Sequence, residues 1–302
     1  MSEQSAGGGS DGPPEGAPGD GSVGSSGGRP ESGPVSPVSP ASPASSAGPG
    51  SRGGQVLETA MGPDGPLTLR RAAGGFEIVQ GGGSEQLGER IILSSEIRRA
   101  EGELANISLV PLRDRTDVTV LLAGLGMGYL LAALLQHRHV QRVDVVEHNP
   151  AIIEWNRTHL STLHASPPLA DERVRVYPSG LGKYLRDVRY GVMPEPKLET
   201  EGYFLALLDV DNGPGALSRP QNEDLYSDDG LMDFEEVLRP GGVLCIWASQ
   251  REPALLERLK ARFQNIAEIA TPVDVPGHPG LDYVYRCRRR PNPSKNPARA
   301  QA

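Results

Sequence analysis

A cluster of glycines and three carboxylates carry the chemistry that this chain is equipped to perform. Gly124, Gly126 and Gly128 stand in GLGMG, between the apolar run VTVLLA at 118–123 and a second apolar run at 129–136. Glycine permits backbone angles that a Cβ obstructs and lets the main chain approach a ligand closely. A helix begun at Tyr129 aims its first amides into the crevice above a sheet. Glu147 closes the next apolar run, 23 residues after Gly124. A carboxylate at that strand tip accepts hydrogen bonds from both ribose hydroxyls. Asp209 follows the run YFLALL and opens the polar turn DVDNGPG. An acid there takes a proton from an attacking amine or holds its orientation. Asp209 and Asp211 are therefore candidate catalytic residues, and Asn212 a candidate substrate contact. The plainer alternatives are that Asp209 caps its loop, that Asp211 is solvated and that Asn212 forms a turn.

Positioning these residues requires a sheet whose strands end on one crest. Residues 118–123, 140–147, 174–177, 203–209 and 243–249 read as strands. Residues 129–136, 150–163, 181–189, 231–238 and 252–263 read as helices between them. The helix at 231–238 is expected to stop at RPGG. The alternating run at 282–288 is expected as an antiparallel strand at the sheet edge. Upstream, LTLRRAAGGFEIVQ reads as two strands around a Gly-Gly turn, with a third at 90–93 and a helix, capped by Ser94 or Ser95, running to Leu109. The expected fold class is α/β: a doubly wound, mostly parallel, Rossmann-like sheet with a small N-terminal β appendage. In such a sheet, ligands lie beyond the carboxyl ends of the strands where the winding reverses.

Composition narrows the class further. Of the first 50 residues, 39 are Gly, Ser, Pro or Ala, and no aromatic precedes Phe76. Such a segment buries too little apolar surface to offset its ordering entropy, so residues 1–54 and 291–302 are expected to be disordered tails. Between them, an appendage and linking helix at 55–112 precede a nucleotide-binding domain at 113–290. The formal net charge of −8, with no basic stripe, argues against a nucleic-acid partner. The C-terminal segment RCRRRPNPSKNPARA reads as a solvated, Pro-broken tail or a weak contact for an anionic partner. No apolar run of membrane-spanning length and no signal-like start is present, so a cytoplasmic location and no membrane partner are expected. Cys245 and Cys287 have no metal-ligand spacing, Trp155 and Trp247 read as core packing, and no metal is expected.

The nucleoside turns on position 129. A dinucleotide site favours G-x-G-x-x-G, but Tyr129 stands where its last glycine belongs. The spacing G-x-G-x-G resembles motif I of the class I S-adenosylmethionine (SAM) binding enzymes, with Glu147 matching their ribose-binding acid. NAD-type binding and a purely structural glycine turn remain the alternatives.

The motifs GLGMGYLL, VVEHNP, LLDVDNGPGAL and LRPGGVLCIW follow the order found in spermidine synthases and their relatives. The chain resembles that family over roughly residues 65–290, including the small β appendage. The resemblance implies SAM or decarboxylated SAM as co-substrate, bound by Gly124, Gly126, Met127, Gly128, Glu147, His148 and Gly180. It implies a small-molecule amine acceptor, with Asp209 handling the amine, and a homodimer. Tyr226 is a candidate for lining the acceptor pocket. Four positions depart from the pattern: Met127 replaces an acid in the glycine loop, Asn212 replaces a second acid, RRAEGELA lacks a Tyr-His pair, and Gly180 replaces an acid that meets adenine. A diamine carries two ammonium groups that need carboxylates when taken from water. Glu101, Glu103, Asp211 and Glu223 are the acids available to replace that charge. Three functions stay open: aminopropyl transfer to an amine, methyl transfer from SAM to a small molecule, and nucleoside binding without catalysis.

Overall fold

The computed structural model describes residues 54–81, 89–96, 101–192, 202–272 and 280–291, all in the unit that spans Ala47–Ala302. Of the tails expected at 1–54 and 291–302, all but Gly54 and Pro291 lie outside the described residues. Four antiparallel strands form the N-terminal sheet in the order β1 (Gln55–Gly62), β2 (Gly65–Ala72), β3 (Gly75–Gln80) and β4 (Arg90–Ser94). The sequence reading missed β1, an edge strand exposed along most of its length, whose side chains show little contrast between faces. The Ser95 hydroxyl oxygen accepts the Phe76 amide at 2.8 Å, and the helix start expected after Ser94 or Ser95 lies outside the described residues. The helix that follows, α1, spans Glu101–Leu109.

The central sheet has seven strands: β5 (Val118–Ala123), β6 (Val140–Glu147), β7 (Val174–Pro178), β8 (Tyr203–Leu208), β9 (Leu238–Ala248), β10 (Gln264–Pro272) and β11 (Leu281–Arg288). Their spatial order is β10-β11-β9-β8-β5-β6-β7. From β9 to β7 the strands are parallel, and β11 pairs antiparallel with both β9 and β10. The winding reverses between β5 and β8, as a doubly wound sheet requires. Two corrections concern its far side. The late strand β11 lies inside the sheet, and the edge is β10, a partly exposed strand that the sequence reading did not assign. The sequence LRPGG belongs to β9, whose pairing with β8 slips between Leu238 and Val243 so that the Pro-Gly-Gly stretch bulges out.

Alternation along the strands sends side chains to two cores. Val120, Leu122, Val143 and Val145 face α1, α2 (Tyr129–Leu135) and α3 (Pro150–Arg157), together with Leu69 and Ile78 of the N-terminal sheet. Leu121, Ala123 and Val146 face α4 (Leu181–Arg189), α5 (Asp228–Val237) and α6 (Pro253–Arg262). Trp155 and Trp247 are buried, as are both cysteines, which are free thiols. The arginines at the end of β11 close backbone gaps. Arg286 and Arg288 donate to the Ile107 and Pro111 carbonyls, and Arg290 to the last carbonyls of α6 and to that of Phe263. These guanidiniums satisfy helix-end acceptors that lack intrahelical partners.

One buried polar chain crosses the second core. Tyr184 and Tyr203 share a hydroxyl contact of 2.6 Å, and Tyr203 donates to Asp144 at 2.6 Å. Burial pushes the Asp144 carboxyl above its usual range, offset in part by the Tyr203 hydroxyl. A carboxyl raised on folding contributes stability that is complete below its unfolded value and is lost as pH rises through the folded value. Asp144→Asn is therefore expected to gain on the parent in melting temperature as pH rises above about 4, the ordinary aspartate value. Parallel thermal melts across that range check this, and a constant difference contradicts it.

Candidate active site

The glycine loop is held in shape by groups outside the crevice. Gly124 donates to the Val146 carbonyl at 2.9 Å and adopts φ +91°. A Cβ there would lie 2.7 Å from the Asp209 carbonyl oxygen, so β5 and β8 can end side by side only with glycine at this position. Asn156 of α3 donates to the Gly126 carbonyl at 2.9 Å. The His164 ring donates to the Met127 carbonyl at 2.9 Å and meets Tyr129 edge-on. Gly128 begins α2 and packs on these same two side chains, Asn156 and His164. The loop is thus pre-shaped, which lowers the ordering cost of binding. Met127 is 5% exposed, packs in the first core and lines the crevice.

Gly126 differs from Gly124 in a way that separates fold from binding. Its φ is +53°, yet a Cβ there meets nothing. Gly124→Ala is expected to cost about 2–4 kcal/mol of stability, from strain plus collision with backbone. Gly126→Ala should cost only about 1–2 kcal/mol of strain, while its methyl intrudes into the crevice and weakens nucleoside binding. Denaturant melts and titration calorimetry on both variants separate the two effects; equal stability losses would contradict the assigned geometry.

Glu147, at the tip of β6, is 7% exposed. Its carboxylate accepts the Leu125 amide at 3.0 Å and the Asn149 amide at 2.7 Å. It therefore ties the glycine loop to the start of α3, where the Asn149 side chain caps the helix by accepting from Ala151. Burial pushes its carboxyl up, and these backbone donors and Arg219 pull it back. Each carboxylate oxygen retains acceptor capacity, so ribose hydroxyls can add to the amides. His148 is half-buried and meets Asp64 at 3.2 Å. Its imidazole is shifted down, by burial first and then by Arg219. Gly180 precedes α4 beside His148, while its neighbours Ser179 and Leu181 reach the crevice lining.

Asp209 lines the crevice on the β8 side, its amide donating to Ala123 at 3.2 Å, and Asn212 lies beside it. Asp211 is occupied differently. It is 6% exposed, and its Oδ1 accepts the Ser218 amide at 2.8 Å, the Ser218 hydroxyl at 2.5 Å and Asn222 Nδ2 at 3.1 Å. Tyr226 donates to its other oxygen at 3.2 Å and is 2% exposed. Asp211 thus knots its own loop. Tyr226 lies in the second core, so it is not part of the crevice lining that the sequence reading placed it in.

The crevice has a volume of ≈ 760 Å³, above the lower bound for a small-molecule site. Its floor is the crest of the central sheet, and its roof is the N-terminal sheet, through Asp64, Leu67, Ile92 and Leu93. Behind Asp209 a smaller cavity reaches Glu101, Trp247, Thr271 and Asp282. Of the four acids considered as replacement charge, Glu101 and Asp211 line the crevice. Sequence reading missed Asp64 and Arg219, which face each other across it at 2.7 Å. Their only signal was that each stands in a turn beside glycine or proline. Among the described residues, no group of three or more His, Cys, Asp or Glu side chains is placed to hold a metal ion. No helix among them is long and apolar enough to cross a membrane.

No protein-family description matches the sequence, and no curated protein matches it either. Solved structures do match in shape. Spermidine synthase from Thermotoga maritima superposes with a TM-score of 0.56 at 14% identity, covering 81% of this chain and 77% of that one. The chain has the spermidine-synthase fold. A spermidine synthase in complex with the transition state analogue AdoDATO gives a TM-score of 0.55 at 14% identity, with the same coverage of 81% and 77%. At that identity, the spermidine-synthase likeness establishes the fold alone.

Proposed function

We propose that this chain is a transferase that moves an alkyl group from a SAM-type sulfonium nucleoside to a small-molecule amine, with aminopropyl transfer as the form its fold favours. One observation carries the reading: the glycine loop, Glu147 and Asp209 converge on one crevice at the point where the winding reverses, under a second sheet that closes it. Residues 113–290 act as the transferase domain and residues 55–112 as its roof. SAM or decarboxylated SAM is a co-substrate, its ribose on Glu147, its sulfonium beside Gly126 and Met127, and its adenine toward His148 and Gly180. The amine lone pair attacks the carbon next to the sulfonium, and the C–S bond breaks with its electron pair passing to sulfur. A thioether nucleoside leaves, and the proton released from nitrogen passes to Asp209 and on to solvent. The protein's task is alignment, exclusion of water and removal of that proton.

Met127 favours a second reading, methyl transfer from SAM itself, because an uncharged side chain stands where an aminopropyl ammonium needs an acid. Incubation with SAM and with decarboxylated SAM, each with a panel of amines, decides between them. Methylthioadenosine from the decarboxylated donor supports the first reading, and S-adenosylhomocysteine from SAM supports the second. Neither product from either donor contradicts transfer and leaves nucleoside binding without catalysis.

A further inference from the structure

The turn between β1 and β2 meets the far side of the crevice through the Asp64 carboxylate. Asp64 sits at the tip of the β1–β2 hairpin and reaches two rigid supports. Arg219 Nε lies 2.7 Å from its Oδ2, and His148 Nε2 lies 3.2 Å from the same oxygen. Both supports are anchored independently of the hairpin. Ser218 and Asn222, flanking Arg219, are bound by Asp211, and His148 follows the fixed carboxylate of Glu147. The hairpin tip has less to hold it. Strand β1 is an edge, pinned at Glu58 by Trp155 and His159, and beyond that pin Met61 is 79% exposed. The tip lies directly on Asn149, so that a Cβ on Gly62 would come 2.3 Å from its side-chain nitrogen. Gln80 holds the Asp64 carbonyl at 2.9 Å, which keeps the carboxylate aimed at its partners.

We propose that Asp64 is a latch: its contacts with Arg219 and His148 hold the β1–β2 turn down over the nucleoside half of the crevice, and the turn must lift for nucleoside to enter and leave. The gating role rests on the nucleoside reading above; the latch itself does not. All three side chains are a quarter to a third exposed, so the contacts are partly screened and can open without unfolding the sheet. Because Asp64 leads straight into β2, whose Leu67 lines the crevice, the same motion moves the wall opposite Asp209.

The test uses the full chain, with Asp64→Asn and Arg219→Gln, which remove the charge from either side of the pair. Hydrogen exchange at residues 61–65 needs no ligand, and both variants are expected to speed it about two- to fivefold, as loss of a partly exposed ion pair implies. With 5′-methylthioadenosine as probe, stopped-flow association and dissociation rates should rise together in Asp64→Asn by a similar factor, leaving affinity within about threefold. Raising salt from about 0.05 to 0.5 M should speed both rates in the parent and not in the variant. Unchanged exchange in both variants overturns the latch. Faster dissociation with unchanged association also overturns it, because Asp64 then touches the nucleoside instead of gating it. If the parent does not bind methylthioadenosine, the transferase reading fails and the exchange data still decide the latch.

Discussion

Asp209→Asn is expected to lower turnover by about 10²–10⁴-fold, the range attributed to a positioned proton acceptor, with thioether nucleoside affinity nearly unchanged. The substitution keeps shape and removes charge. The Asp209 amide holds the chain to the Ala123 carbonyl, a backbone contact that the variant retains. The side chain borders both the crevice and the small cavity behind it, where an amine must approach the donor carbon. Single-turnover rates with each sulfonium donor, alongside calorimetric affinities for methylthioadenosine, give the two readouts. Full activity removes Asp209 from the mechanism; a joint loss of affinity and rate assigns it to nucleoside binding.

The second large effect is expected at Glu147. Replacing it by alanine strands the Leu125 and Asn149 amides, which lie in a buried setting at the tip of β6. Each unpaired buried donor costs about 1–3 kcal/mol, so Glu147→Ala should lose about 2–6 kcal/mol of stability. It should also lose about 1.5–3 kcal/mol of nucleoside affinity, through the charged hydrogen bonds to ribose. The pH dependence of binding carries a sign that tests the role. Burial holds the free carboxyl above its usual range. Ribose hydroxyls donate to the ionised form, so affinity should fall as pH drops through that raised value, and Glu147→Ala should lose the dependence. Denaturant melts and calorimetry between about pH 4 and 8 separate the stability loss from the affinity loss.

Legibility in the sequence followed chemical contrast. The strand VTVLLA, the helix start at Leu181 and the acid at Glu147 were readable because buried parallel strands are apolar throughout and their loops switch abruptly to glycine or charge. Strands β1 and β10 were not readable. Both are edges with mixed exposure, and their pairing is decided by partners distant in sequence. The RCRRR run has the composition of a solvated tail, but carbonyls donated by separate helices and loops gather around it once the chain folds. Asp211 looked like a second catalytic acid because only the folded loop brings Ser218, Asn222 and Tyr226 to its oxygens. Asp64 and Arg219 were invisible for the same reason, since 155 residues separate the two halves of that contact.

The account depends on an adenosine group lying across the β5–β8 crest, and a crystal structure of the full chain with 5′-methylthioadenosine tests that most directly. The expected result is both ribose hydroxyls within hydrogen-bond reach of Glu147, the thioether sulfur beside Gly126 and Met127, and open space between that sulfur and Asp209. A crevice left empty at saturating nucleoside, or a pyrophosphate seated on the glycine loop from a dinucleotide, contradicts it.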